Sequence, residues 1–439
     1  MVWSLGGGVL YDATTGGRTN RAQPDEAPAI IRIPLPPDGV RPLPRSTRPF
    51  LTVYVVWHPA FAAGRSIAKG LYDHFRRELY ENVAGGTGLS VLYRSEIDPH
   101  SGALRNIDLD ESETTAIVPL IDAHFVEDAA YMAWVHELAD RADQAGLRAR
   151  VFPVAIDGAF GSTGLMQQAV RWDSWRRVKQ ADRRRRLVSD LTYQFGRMLR
   201  AYLERLRRPH EPEEELDRYL RKVQIFLSHS KHDPDGERIA RAIRDALYKG
   251  DGLTTFFDVH DIPTGVRFDD VILRQVRVSA VVAIHTDGYS SREWCRREII
   301  EAKRWNVPLV IANCISEGDE RGFPYMGNVP IVRLDPRAVD RIDHVVGRLL
   351  DEVLKDFLWR CRIELARADA PDDAVFLPRP PELISLAGLE GRADADVTLI
   401  YPDPPLGAEE RRLFEVIAPK VQLRSLTEWL AGWDGEVMG

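Results

Sequence analysis

Cysteine is scarce in this chain of 439 residues, which contains only Cys295, Cys314 and Cys361. An odd and sparse set of cysteines cannot supply the disulfide framework of a small secreted domain and is typical of a reducing cytosol. No apolar run approaches the length of a membrane span, and the N-terminus has no basic segment followed by an apolar one. The sequence therefore predicts a cytoplasmic protein that does not bind membranes.

The motifs of several common cofactor sites are also absent. The chain has no P-loop, no Gly-x-Gly-x-x-Gly in a strand–helix context and no Cys/His cluster with metal-ligand spacing. We therefore expect neither a bound metal nor a resident cofactor. A formal net charge of −7 argues against general binding of nucleic acid. The length exceeds what one hydrophobic core accommodates, which predicts two or three domains.

Residues 222–335 alternate between short apolar runs and amphipathic segments. The apolar runs are rich in Val and Ile, as buried parallel strands are; they cover residues 223–228, 253–257, 278–284 and 307–311. The first intervening segment places Ile239, Ile243 and Leu247 at helical spacing. This alternation predicts an α/β fold with a parallel sheet and helices on both faces.

The most informative stretch, residues 290–298, reads Ser-Ser-Arg-Glu-Trp-Cys-Arg-Arg-Glu and precedes the last of these runs. Trp294, Glu298 and Ala302 lie four apart, on one face of the predicted helix. Open α/β sheets bind ligands at the carboxyl ends of their strands, which is where this helix begins. A lone Glu on a helix is usually a solvated surface residue, so the interpretation of Glu298 depends on its neighbours.

Three stretches of this region occur in the order and spacing of a known family. Ser-His-Ser-Lys-His-Asp (228–233) follows the first strand, Phe-Phe-Asp (256–258) leads into Pro-Thr-Gly (263–265), and segment 290–298 is the third. With these stretches, residues from about 222 to 345 resemble a Toll/interleukin-1 receptor (TIR) domain. The resemblance implies a flavodoxin-like parallel sheet.

The resemblance implies two functional classes. Some TIR domains are adaptors that act only through TIR–TIR association, whereas others, many of them bacterial anti-phage effectors, cleave the nicotinamide–ribose bond of NAD⁺. The enzymatic members carry a Glu four residues after the Trp, and Glu298 occupies that position. A carboxylate beside the ribose would stabilise the oxocarbenium-like transition state. The resemblance therefore implies an NAD⁺ glycohydrolase with Glu298 as the catalytic residue and NAD⁺ as substrate.

Two alternatives remain open at this point. The domain could be a non-catalytic scaffold that uses TIR–TIR contacts, or a receptor that binds a nucleotide signal without turnover. For the enzyme, the product could be ADP-ribose or a cyclic form.

Five further residues are candidate substrate contacts by position. Ser230 could bind phosphate or ribose, and Phe257 and Trp294 could enclose a nucleobase or nicotinamide, although aromatic residues in such places are more often core. Lys231 and Arg292 could face the pyrophosphate, although most exposed cations are simply solvated.

A turn between the second strand and the next helix is the candidate assembly loop. Its residues are Asp261, Pro263, Thr264 and Gly265. Exposed loops on a rigid scaffold often carry recognition. The resemblance implies that this loop takes part in self-association through TIR domains and completes the site of a neighbouring protomer.

Residues 50–210 repeat the same order of strands and helices, which suggests an internal duplication. Trp134 and Glu137 lie where the second copy has Trp294 and Glu298, but the separation is three residues instead of four. We interpret this region as a degenerate TIR-like domain without catalysis that binds an activating partner protein or a signal nucleotide. The alternative is an unrelated flavodoxin-like sheet.

The sequence thus predicts two flavodoxin-like, TIR-like domains in tandem and a small C-terminal α/β extension. Composition and pattern set the boundaries as follows: an extended arm at 1–49, the first domain at 50–210, a linker at 211–221, the TIR domain at 222–366, a linker at 367–382 and the extension at 383–439.

Overall fold

The computed structural model describes residues 48–76, 88–98, 104–249, 257–259, 273, 275–317, 323–338, 341–367, 370, 374–389 and 396–431. These residues form three separate sheets, in which every paired strand is parallel to its neighbour. The predicted fold class, α/β with parallel sheets, is confirmed. The predicted N-terminal arm, apart from its last two residues, lies outside the described residues.

The N-terminal sheet has the strand order β2-β1-β3-β4, with β5 also paired to β3. Its strands are β1 (Leu51–Trp57), β2 (Ser90–Tyr93), β3 (Thr114–Ile121), β4 (Ala149–Val151) and β5 (Val154–Ala155). Its helices are α1 (Gly64–Phe75), α2 (Ala123–Glu127), α3 (Ala129–Gln144) and α4 (Gln180–Arg207). Strands β4 and β5 follow β3 in one continuous register, and Val170 adds a single parallel bridge beside Val154.

The central sheet has the order β10-β9-β8-β6-β7. Its strands are β6 (Val223–Ser228), β7 (Phe257–Val259), β8 (Ser279–His285), β9 (Leu309–Asn313) and β10 (Ile331–Arg333). Its helices are α5 (Pro234–Lys249), α6 (Glu293–Arg304) and α7 (Ile342–Arg367). Counted along the chain, this is the flavodoxin-like order 2-1-3-4-5. Every residue of β8 is buried because helices cover both faces.

Two parallel helices, α4 and α7, join the first two sheets. Leu354 and Cys361 of α7 belong to the same hydrophobic core as Leu199 of α4 and the N-terminal strands. In return, Tyr193 of α4 packs in the core of the central sheet. The two sheets therefore share one packed interface.

Two ion pairs, one near the starts of α4 and α7 and one near their ends, show that the helices run in the same direction. Arg185 Nε lies 3.3 Å from Asp343 Oδ2 near the helix starts, and Arg207 Nε lies 3.3 Å from Glu364 Oε1 near the helix ends. One turn after the first of these ion pairs, a side chain at Gly347 would meet Ser189 Oγ at 3.5 Å. Small residues at this point allow the two helices to approach closely.

Helix α4 runs antiparallel to the strands of its own sheet. Near its start, Arg184 donates to the hydroxyl of Ser66, which lies beyond the carboxyl end of β1. Near its end, the ring of Tyr202 meets Phe50, which immediately precedes β1, at 5.9 Å between centroids. The helix thus returns the chain from the carboxyl edge of the N-terminal sheet to its amino edge.

The predicted linker at 211–221 contains a short helix. Residues Glu213–Tyr219 form a 3₁₀ helix, and Leu216 within it is buried. The predicted linker at 367–382 likewise contains a strand, β11 (Ala374–Phe376), which pairs with β12 (Val397–Tyr401). The Pro- and Asp-rich composition of this segment predicted a linker, so strand β11, which forms the edge of the C-terminal sheet, was missed.

The C-terminal sheet has the order β11-β12-β13, where β13 is Val421–Ser425. Helices α8 (Ala408–Ile417) and α9 (Leu426–Leu430) complete this part. It packs on α7, since Trp359 and Ile363 share a hydrophobic cluster with Ile400 and Leu426. The indole Nε1 of Trp359 also donates to the carbonyl of Leu377 at 2.5 Å. None of the helices that the structure describes is long and apolar enough to cross a membrane.

The shared helix interface makes Leu354 a test of cooperativity. Its side chain is fully buried in the N-terminal core although the residue belongs to the central domain. We expect Leu354→Ala to lower the free energy of unfolding by about 2–5 kcal/mol and to leave one unfolding transition for both sheets. Urea unfolding followed by tryptophan fluorescence and circular dichroism measures this.

The control is Leu413→Ala, because Leu413 is 55% exposed and should change the free energy of unfolding by less than about 0.5 kcal/mol. Two separate transitions, or equal effects of the two variants, would contradict the shared core.

Candidate active site

Glu298 lies on α6, whose sequence suits a helix beside a sheet. Acidic Glu293 occupies the first turn and basic Lys303 and Arg304 the last, which matches the helix dipole. Cys295, Ile299 and Ala302 are buried among central-sheet residues. Glu298 shares this inward side and is only 8% exposed. A carboxylate so deep in a core requires a polar partner.

The partner is Ser228, the last residue of β6. Its hydroxyl donates to Glu298 Oε2 at 2.5 Å and lies 2.5 Å from the hydroxyl of Tyr289. A serine hydroxyl has one proton, so when it donates to Glu298 it accepts from Tyr289. The result is a buried chain of hydrogen bonds from Tyr289 through Ser228 to the carboxylate.

Burial raises the pKa of Glu298 to about 7, and the Ser228 hydrogen bond and the positive charge of Lys231 oppose this rise. Both opposing effects favour the ionised form, but they do not offset the loss of hydration. Glu298 is therefore poised to change charge near neutral pH. Carboxylates with this property occur preferentially at functional sites.

The surrounding groups lie at the carboxyl edge of the central sheet. His285 ends β8, and its Nε2 lies 2.9 Å from Ser290 Oγ. Burial lowers the pKa of His285 and of His229, which follows β6, so both imidazoles are neutral at pH 7. The Thr286 hydroxyl and His229 Nδ1 are buried and have no hydrogen-bond partner among the described residues. These two polar atoms follow β8 and β6 at the same edge of the sheet.

Two of the predicted substrate contacts lie in the loop after β6. Ser230 is buried, and Lys231 is exposed but close enough to affect the pKa of Glu298. Sequence reasoning selected Ser230 and missed Ser228, two residues earlier, which bonds the carboxylate directly. The only available signal was a serine at the last position of an apolar strand.

The other three predicted contacts differ in position. Arg292 is exposed and immediately precedes α6. Trp294 is half-buried, and the Arg297 guanidinium lies 4.3 Å from its ring centroid. Phe257 begins β7, but its side chain lies outside the described residues. Ligand contact by Arg292, Trp294 and Phe257 therefore remains a prediction. The contacts that the structure does show are those of Ser228 with Glu298 and with Tyr289.

Cys295 is not suited to nucleophilic chemistry. Burial and the negative charge of Glu298 raise the pKa of its thiol to about 12. The reactive form of cysteine is the thiolate, so this thiol is inert at neutral pH. The described residues contain no group of three His, Cys, Asp or Glu side chains arranged to hold a metal ion.

Residues 225–345 match the sequence model of the TIR domain family. This segment is a TIR domain. No curated protein matches the chain. The matched residues begin in β6 and end in the first turn of α7, so the Ser228–Glu298 pair belongs to the TIR domain. Its predicted assembly-loop residues Asp261, Pro263, Thr264 and Gly265 lie outside the described residues.

The first domain has no buried glutamate at position 137, which the sequence comparison aligned with Glu298. Glu137 on α3 is exposed. The buried carboxylate at the carboxyl edge is Asp122, which accepts from Phe125 N at 3.1 Å and lies 2.7 Å from His124 Nδ1. This aspartate caps α2, a structural task.

The raised pKa of Glu298 has a consequence for stability. A folded-state pKa of about 7, above the ordinary value of 4.5, means that ionisation favours the unfolded chain as pH rises from about 4.5 to about 7. Gln is neutral at every pH. The free energy of unfolding of Glu298→Gln should therefore rise relative to that of wild type as pH increases. Between pH 5 and pH 8 this difference should grow by on the order of 3 kcal/mol.

Urea unfolding of both proteins at the two pH values measures this change. The control Glu137→Gln removes an exposed carboxylate, and its difference from wild type should not depend on pH. A Glu298→Gln difference that is the same at pH 5 and pH 8 would show that the pKa is not raised.

Proposed function

We propose that the TIR domain is an NAD⁺ glycohydrolase in which Glu298 is the catalytic carboxylate. The observation that carries this proposal is a buried glutamate with a pKa near 7, fixed by Ser228 at the carboxyl edge of a parallel sheet. This edge is the usual ligand site of such folds. TIR domains include both NAD⁺-cleaving and scaffolding members, and the position of Glu298 favours cleavage.

The reaction breaks the bond between the nicotinamide nitrogen and the ribose anomeric carbon. The bonding electron pair goes to the nitrogen, which neutralises the leaving group, and positive charge develops on the ribose. A water oxygen then bonds to the anomeric carbon and releases a proton. An ionised Glu298 stabilises the developing charge, and its effect is stronger in a buried site than in water.

The hydrogen-bond chain prepares Glu298 for this role. Ser228 binds Oε2, while Oε1 accepts no hydrogen bond from the described residues. The free oxygen can therefore accept from a ribose hydroxyl, and a carboxylate acceptor makes such a bond strong. Ser228 and Tyr289 act as positioning residues because they orient the carboxylate without touching the substrate.

Further parts of the proposal rest on the family resemblance. Ser230, Lys231, Arg292, Trp294 and Phe257 contact NAD⁺, and the loop at 261–265 mediates assembly of the active form. The first domain receives an activating partner or nucleotide signal, and the protein acts in anti-phage defence.

The first test removes the charge of Glu298. Glu298→Gln keeps the shape of the side chain but cannot stabilise a cation, so NAD⁺ cleavage should fall by at least about a hundredfold. Release of nicotinamide by purified, concentrated protein is the measurement. Glu137→Gln is the matched control and should retain wild-type turnover.

Turnover by Glu298→Gln at the wild-type rate would remove this residue from the mechanism. Loss of turnover in both variants would instead indicate a catalytic role for the first domain. A wild-type protein that self-associates but never cleaves NAD⁺ at any concentration would identify a scaffold.

The second test concerns assembly. If the loop of one protomer completes the site of another, dimer or filament formation limits activity at low concentration. Specific activity at saturating NAD⁺ should then rise with protein concentration, and Gly265→Arg should abolish it while circular dichroism stays unchanged. Constant specific activity over a hundredfold dilution would show that each protomer is active alone.

A further inference from the structure

A basic groove lies at the amino edge of the central sheet, opposite the edge that holds Glu298. Its walls are the last turns of α4, the middle of α7 and the residues that precede β6, β8 and β9. The cavity has a volume of about 520 Å³, within the range of roughly 300–1,000 Å³ that is typical of small-molecule sites.

Seven cationic side chains line this groove and only two carboxylates, Glu204 and Asp356. Helix α4 contributes Arg200, Arg207 and Arg208. The chain as a whole carries a net charge of −7, so a concentration of positive charge is a local feature of this surface. Clefts lined by one sign of charge concentrate ligands of the opposite sign.

Internal ion pairs neutralise only part of this charge. Glu204 is shared by Arg207 and Arg208, and Asp356 Oδ2 lies 2.6 Å from Arg360. Arg277, from the loop before β8, pairs with Glu301 at 2.6 Å.

Arg221 and Lys222, just before β6, are exposed and form no ion pair with a carboxylate of the described residues. The groove therefore retains cations without an internal counterion.

Two further features suit a small ligand. Gln224 Oε1 is buried beside the groove and accepts no hydrogen bond from the described residues. Val278 lines the same groove and is 72% exposed, an unusual degree for a large apolar side chain. The groove thus combines cations, an unsatisfied polar atom and an apolar surface.

We infer that this groove is a second ligand site, which binds a small molecule carrying several phosphate groups. Six of the seven cations are arginines, whose planar guanidinium groups bind phosphate oxygens through two parallel hydrogen bonds. Since α4 belongs to the first domain and β6 to the TIR domain, the bound ligand touches both. The inference does not depend on NAD⁺ cleavage.

Isothermal titration calorimetry with inorganic tripolyphosphate and with ATP tests the inference, in full-length Glu298→Gln to prevent turnover. Both probes should bind, and binding should weaken as salt increases. The double variant Arg221→Ala/Lys222→Ala should weaken binding of both probes by more than about tenfold, since it removes two charged contacts to phosphate. If ATP binds more tightly than tripolyphosphate, the site also contacts the nucleoside. If the two probes bind equally, the site recognises the phosphates alone.

The matched control is Arg176→Ala/Arg177→Ala, which removes two adjacent exposed arginines outside the groove. Its affinities should equal those of the parent. The inference is overturned if neither probe binds at millimolar concentration or if the two double variants weaken binding equally. Binding of long single-stranded DNA alone would also overturn it, since that would identify a nucleic-acid surface. Thermal unfolding confirms that each variant is folded.

Discussion

The parallel contact between α4 and α7 is the interaction on which the rest of the structure depends. Each helix closes its own sheet, and each also contributes residues to the core of the other: Leu354 and Cys361 to the N-terminal core and Tyr193 to the central one. Because Trp359 on a later part of α7 holds the C-terminal sheet, this one helix connects all three sheets. Loss of its packing would therefore affect every part of the chain that the structure describes.

The carboxylate at the candidate site is costly to the fold. A buried glutamate with a raised pKa destabilises the folded chain whenever it is ionised, and the chain of hydroxyls from Tyr289 and Ser228 compensates only in part. A glutamine or leucine would suit this position better if packing were its only purpose. An unfavourable charge at the carboxyl edge of a parallel sheet is a physical reason to regard Glu298 as functional.

Much of the fold could be predicted from the sequence, because strands that are buried on both faces appear as uninterrupted apolar runs. The runs at β1, β3 and β8 are of this kind. Strands β10 and β11 were missed because each has three residues and lies at a sheet edge, where burial is partial. At the site, the resemblance indicated Glu298, but Ser228 lies 70 residues away from it along the chain. No local pattern reports such a distant contact, nor which faces of α4 and α7 meet.

The parallel direction of α4 and α7 has a geometric consequence. Each helix returns the chain to the amino edge of its sheet and so runs antiparallel to the strands. Because the two helices are parallel, the strands of the two sheets run in the same direction. The carboxyl ends of both sheets therefore lie on one side of the protein. Glu298 therefore shares a side with the aromatic and acidic cluster of the first domain, where the ring of His58 stacks on His124 at 6.0 Å and packs edge-on to Tyr131. A partner that approaches the carboxyl edge of the central sheet from this direction meets both domains at once. The carboxyl edges of the two domains thus form one front, with the basic groove at the rear.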